Sequence, residues 1–237
     1  MPIPILAVSD EIDPRVHSAT VRERLGHVGL AIGCGDLPPE YLEFITDALR
    51  KPVYFVHGNH VDRLPCGARP GAQHQPQGAT DLAGRVVRDP GTGLILAGIP
   101  GSPRYCDGAG GQYEEWQIKL MIARMLPQLL WNKAHAGRAL DVLVTHAPPR
   151  GVNDRDDPAH QGYEALRSFL ERFQPAYQLH GHIHLYDRSQ PYRQRFAQSE
   201  VINVFPYRVL ELEPARGAAD SHLLTRGDGQ PLVDRVG

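Results

Sequence analysis

Cysteine is scarce in this chain of 237 residues: only Cys34, Cys66 and Cys106 occur. Three scattered thiols are too few for a disulfide framework or a thiolate zinc site, which points to a reducing, cytoplasmic setting. Positive charge is not in excess either, since 25 Lys and Arg stand against 27 Asp and Glu, for a formal charge of -2. Nonspecific affinity for nucleic acid comes mainly from neutralised phosphates, so a long DNA or RNA partner is not expected. Long apolar runs are missing, and with them any membrane span. The opening MPIPILAVSDEID is apolar only briefly, lacks a basic leader and meets acids at once. It reads as a first strand, not a signal peptide. Internal repeats and low-complexity tracts are absent as well. What remains is a chain long enough to bury a core without covalent or metal staples, and residues 1–237 read as a single α/β domain.

Short strand-like runs recur: IPILAVS (3–9), VGLAIG (28–33), PVYFVHG (52–58), RVVRD (85–89), GLILAG (93–98), DVLVTH (141–146), AYQLHG (176–181) and RVLELE (208–213). Such a series predicts large, mostly buried sheets. Helical periodicity lies between them, in PEYLEFITDALR and EALRSFLERF, each with one apolar stripe joining two strands. YEEWQIKLMIARMLPQLLWNKA predicts a longer helix, or a pair split at Pro127, with its Met and Trp stripe in the core. Gly- and Pro-rich loops fill 65–78, 100–112 and 147–162 and are longer than simple connections, a common mark of function. The polar, glycine-rich residues after Pro214 read as a C-terminal extension, 214–237.

Chemistry collects where the strands end. VSD supplies Asp10, GCGD Asp36, VHGNH Asn59 and His60, VTH His146, and LHGHIH His182 and His184. In an α/β sheet the carboxyl ends of the strands gather along one edge, where ligands bind. Each residue alone has a plain reading as a turn former or helix cap. Together they suit a dinuclear hydrolase: two cations about 3.5 to 4 Å apart can clamp a phosphate and supply hydroxide for in-line attack. Imidazole suits Mn, Fe, Co or Zn, and the hard oxygens of Asp and Asn suit Mn or Mg.

The order Asp10, Gly35-Asp36, Gly58-Asn59-His60, His146 and Gly181-His182-Ile183-His184 resembles the calcineurin-like metallophosphoesterases, over residues 5–184. That resemblance implies a four-layer α/β/β/α sandwich, two packed mixed sheets flanked by helices. It implies Asp36 bridging two divalent ions, with Asp10 and His184 on the first and Asn59, His146 and His182 on the second. His60 would then be catalytic, stabilising the transferring phosphoryl group or protonating the leaving oxygen. Two features depart from the family pattern. Ile12 stands where Asp-x-His would place a ligand, so the first ion is held by Asp10, Asp36, His184 and water, or else Glu11 or Asp13 replaces the nitrogen. The first site thereby becomes oxygen-rich and weaker, favouring Mn or Mg over Zn. Val61 stands where many relatives carry an acid that orients the catalytic imidazole, leaving Asp62 or a backbone carbonyl for that task.

A phosphate still carries charge after metals bind, so Arg104, Tyr105 and Arg150 are candidate substrate contacts, each weighed against plain solvent exposure. His160 is weighed between helix capping and substrate contact. His180 and His57 read as packing or supporting residues, and Cys34 as a small buried strand residue. The expected activity is hydrolysis of a small phosphodiester or phosphomonoester. The competing class is a noncatalytic, metal-containing binding module that uses the same cleft to grip a partner. The sequence assigns no oligomeric state.

Overall fold

The computed structural model describes residues 1–60, 75–107, 110–187 and 189–214. Cys66, Asp62, most of the 65–78 loop and the extension beyond 214 therefore lie outside the described residues.

Among the described residues, thirteen strands form in chain order: β1 (Ile3–Val8), β2 (Leu30–Cys34), β3 (Val53–Val56), β4 (Ala79–Asp81), β5 (Val86–Arg88), β6 (Ile95–Ile99), β7 (Ser102–Pro103), β8 (Gln112–Tyr113), β9 (Val142–Thr145), β10 (Tyr177–His180), β11 (Arg193–Phe196), β12 (Ser199–Asn203) and β13 (Tyr207–Leu212). One sheet runs β13-β1-β2-β3-β4 and the other β11-β12-β10-β9-β6-β5, while β7 and β8 pair by themselves. Both large sheets are mixed. Their middles are parallel, and antiparallel strands close them at β13, β11 and β5. The helices are α1 (Val21–Leu25), α2 (Pro39–Leu49), α3 (Glu115–Ala136) and α4 (Glu164–Phe173).

Strand alternation explains the four layers. On β1, Ile5 and Ala7 point toward the second sheet, into a core shared with Leu30, Ile32, Leu96, Val142, Val144 and Leu179. Leu6 and Val8 point the other way, onto Val21 and Leu25 of α1 and Leu42 and Ile45 of α2. The second sheet repeats this pattern. Ile95, Ala97 and Leu143 face Ile118 and Met125 of α3 and Leu166 and Phe169 of α4. The expected α/β/β/α sandwich is the one observed.

The strands read from apolar runs are present, but β4, β7, β8, β11 and β12 add to them. Most of these are very short or polar, as in the ATD of β4 and the RQRF of β11, and so carry little apolar signal. Of the two alternatives for α3 the longer single helix is observed, and one further expectation needs correction. Pro127 does not split it: Glu115–Ala136 is one helix. Pro127 and Ala123, whose carbonyl the proline ring leaves without its usual partner, are both exposed, so water can serve that carbonyl. The Met and Trp stripe is not core throughout. Met125 is buried, whereas Trp116 and Trp131 are 64% and 61% exposed. Among the described residues, no helix is long and apolar enough to cross a membrane.

Candidate metal centre

Parallel strands in both sheets deliver the polar residues to one edge. Asp10 and Asp36 each lie two residues beyond a strand, Asn59 and His60 follow β3, His146 follows β9 directly, and His182 follows β10. The turns are tight. Asp10, Asp36 and His182 adopt φ of 65°, 53° and 65°, the left-handed region that side chains rarely enter. Such conformations cost on the order of 1–3 kcal/mol each and persist where surrounding structure over-determines them. The glycine before each motif residue is a matter of space. A Cβ at Gly58 would strike the Asp36 carboxylate, one at Gly181 the side chains of Ser9 and Asp10, and one at Gly35 the His146 ring.

Within this edge, Asp10, Asp36 and His146 present ligand atoms that all lie within 4.8 Å of one another. His146 is fully buried, and its Nδ1–H donates to the Cys34 carbonyl at 2.8 Å. That bond fixes the ring, so Nε2 faces Asn59 Oδ1 at 2.8 Å and Asp36 Oδ2 at 3.3 Å. His182 is held in the same manner: its Nε2–H donates to the Ala159 carbonyl at 2.7 Å, its ring centroid lies 4.8 Å from that of His146, and Nδ1 is left without a hydrogen to give. Its backbone N–H donates to both Asp10 carboxylate oxygens at 3.1 Å. His184 stacks on Phe205 at 4.7 Å and turns Nε2 toward Asp10 Oδ1 at 3.5 Å. On its other side lies the Tyr186 hydroxyl, 3.2 Å from Nδ1, and that hydroxyl donates to Glu11 Oε1 at 2.7 Å. Since the tyrosine proton goes to Glu11, its oxygen accepts from Nδ1–H. His146 and His184 thus each have one nitrogen engaged outward and the other turned toward a carboxylate of the centre, as metal-binding histidines are arranged, while His182 lies beside them with Nε2 engaged.

The electrostatics match. Burial alone would strip charge from His146, but the Asp36 carboxylate beside it, with Asp10 and the Cys34 carbonyl, lifts its pKa to about 9. Burial likewise opposes ionisation of Asp36, yet His146 and the His60 backbone N–H, 2.9 Å from Oδ1, hold its carboxyl far below the usual range. His182 is pushed down to about 3 by burial and then by the neighbouring His146 charge. Hydrogen bonding to Asp10 raises His184. Two carboxylates with oriented imidazoles and an amide oxygen form a donor set that fits divalent metal ions.

His60 projects at the rim with its side chain 43% exposed, and its Nε2 lies 3.9 Å from Asp36 Oδ2. The residues beside the centre divide. His160, in a short turn at 158–160, lies 5.3 Å ring to ring from His182, with Nδ1 bonded to Asp157 at 2.7 Å. Arg104 is instead paired with Glu114 at 2.9 Å and Arg150 with Asp154 at 3.4 Å, while Tyr105 accepts from Asn59 Nδ2 at 3.2 Å. Of the two acids near Ile12, Asp13 is committed to Arg15 at 2.7 and 2.9 Å, and Glu11 faces the same cavity as Asp10. His180 is buried against its neighbours, Nε2 meeting Asn153 at 3.2 Å. The carbonyls of Cys34 and Ala159 were not anticipated, because a backbone acceptor leaves no trace in residue identity. Tyr186 had a signal, lying two positions beyond His184.

A family model described as calcineurin-like phosphoesterase matches residues 27–186. No curated protein matches the chain. Among solved structures, one is similar with a TM-score of 0.58 and 13% identity, covering 90% of this chain and 100% of its own. A second, the crystal structure of TT1561 of Thermus thermophilus, has a TM-score of 0.55 and 12% identity over 86% of this chain and 89% of its own. These likenesses carry the fold, and the family model carries the kinship. By fold, motif order and that match, the chain belongs to the calcineurin-like phosphoesterase family.

Proposed function

We propose that this protein is a metal-dependent phosphoric ester hydrolase that cleaves a small phosphodiester or phosphomonoester in the cytoplasm. Asp36 would be shared by two divalent ions, with Asp10 and His184 on the first and Asn59, His146 and His182 on the second. Mn suits this set better than Fe, Zn, Mg or Co, because the first site is oxygen-rich where Ile12 stands. When bound, such ions neutralise phosphate charge and lower the pKa of water toward neutrality. The protein's own groups do the rest. Asp36 is held ionised and aimed by the His60 backbone N–H. His60, at the rim, is placed to stabilise the phosphoryl group or to give a proton to the departing alkoxide. Glu11, acting through Tyr186, braces His184 on the side of the centre where Glu11 and Ile12 line the cavity. Arg104 and Arg150 are too engaged to carry a substrate role by themselves; His160 and Tyr105 are the better candidates. Both sheets contribute residues to this edge, which supports treating the described residues as one domain.

The observation that carries the reading is the inward Nε2 of a buried His146, fixed by the Cys34 carbonyl against Asn59 and Asp36. Substrate size is argued from the cavity of about 620 Å³ that opens on Asp10, Asp36, His60 and His184. That volume is typical of a small-molecule pocket. Its inner wall is apolar, with Leu37, Pro38, Leu42 and Phe55, and among the described residues no Lys or Arg lines it. A neutral organic group on a single phosphoester fits such a wall better than a polyanion does.

The test is hydrolysis of a chromogenic monoester and diester with Mn added, with Asp36→Asn and His146→Ala variants run beside the wild type. Turnover that disappears in both variants supports the proposal. Turnover that survives in them belongs to a contaminant. Full metal binding with no turnover on either ester would favour the binding module, the reading that Ile12 keeps in play.

A further inference from the structure

The longest helix carries an apolar face that the sandwich does not cover. On α3, Trp116, Leu120, Leu130 and Trp131 are 64%, 45%, 51% and 61% exposed. Ala123 and Pro127 between them are exposed too. Steps of four, three, four, three and one place all six on one side of a helix with 3.6 residues per turn. The opposite side, Ile118, Met125 and Leu129, is the one packed on the second sheet. Two tryptophans and two leucines in line on a surface are not the scatter of single apolar residues that needs no explanation. A contiguous patch of this kind marks an interaction site.

We infer that this face of α3 pairs with α3 of a second copy of the chain, antiparallel, about a two-fold axis passing near Ala123. The order of the stripe is self-complementary about that point. Reversal sets Trp116 against Trp131 of the other copy and Leu120 against Pro127, so large rings meet at both ends and smaller groups at the centre, where the helices come closest. An isologous interface requires such self-matching of one surface. Antiparallel pairing also sets the two helix dipoles in opposition. The helix is about 33 Å long at 1.5 Å per residue. Four large side chains exposing roughly half their area can remove on the order of 1,000 Å² from water across two copies, the lower bound of a specific interface. The stripe lies on the second sheet's helix layer, and no α3 residue is among those lining the strand-end cavity.

Sedimentation velocity of the full chain, with and without Mn, tests the inference. The wild type is expected to sediment at twice the 26.2 kDa chain mass at tens of micromolar. A Trp116→Glu/Trp131→Glu variant should sediment as the monomer with unchanged circular dichroism, because both side chains are on the surface of the single chain, and its melting temperature should no longer rise with protein concentration. For the register, Ala123→Cys in a Cys66→Ser/Cys106→Ser background should oxidise to a covalent dimer, and Gln128→Cys, which points off the stripe, should not. A monomeric wild type, a dimer indifferent to the double substitution, or cross-linking at Gln128→Cys but not Ala123→Cys would each overturn it. So would a monomer that instead pellets with phosphatidylglycerol vesicles through the tryptophans.

Discussion

The two halves of the candidate metal centre are built differently. On the half formed by Asn59, His146 and His182, the imidazoles are buried and braced by main-chain carbonyls of Cys34 and Ala159. On the half formed by Asp10 and His184, the imidazole is 41% exposed, stacked on Phe205 and braced by the side chains of Tyr186 and Glu11. A carbonyl brace cannot be lost by substitution and does not change rotamer. A side-chain brace can do both, so it is easier to modify and less rigid. The half beside Ile12 is also the half with the adaptable brace. Main-chain support therefore predicts a tight ion on one side and an exchangeable ion on the other.

Removing the group that the halves share should have the largest effect. Asp36→Asn is expected to lower kcat by at least about 10³-fold and to release both ions, read by steady-state assay and by elemental analysis after gel filtration. His60→Ala should lower kcat by about 10²–10⁴-fold while leaving the metal content unchanged. Normal turnover in that variant would remove His60 from the chemistry. Tyr186→Phe separates one half from the other. Losing the acceptor for His184 Nδ1–H should weaken the first ion by about 10–100-fold and leave the second untouched, measured by Mn titration calorimetry. Equal weakening of both ions would mean that the halves are not independently braced.

Acidity gives the most graded effect. A pKa of about 9 for His146 means that its inward nitrogen carries a proton at neutral pH, and a metal ion must displace it. Apparent affinity for the second ion is then highest above about pH 9 and falls up to tenfold per unit as pH drops below that value. The cause is that the competing protonated form is favoured at lower pH. Calorimetry in buffers of different ionisation enthalpy should register close to one proton released by this imidazole at pH 7.

Much of this was legible in the sequence. That Asp10, Asp36, Asn59, His146 and His182 share one edge was readable because parallel strands bring their carboxyl ends together. The four-layer sandwich followed from the resemblance, and its strands from their apolar runs. Less was legible around these residues. Whether Arg104 and Arg150 face the cleft depends on partners that their own positions do not reveal, and Glu114 and Asp154 take them. Asp13 and Glu11 are equal on paper beside Ile12; Arg15 separates them. On α3 the apolar residues occupy two faces, and periodicity cannot say which one turns inward. Met125 does, while Trp116 and Trp131 do not.

Equilibrium dialysis of the metal-stripped protein against Mn over a range of concentrations distinguishes unequal halves from equal ones. Two ions per chain are expected, one bound at least about tenfold more tightly than the other, with the tight one abolished by His146→Ala. Two ions of equal affinity, or none at any concentration, would contradict the division of the centre into a rigid and an adaptable half.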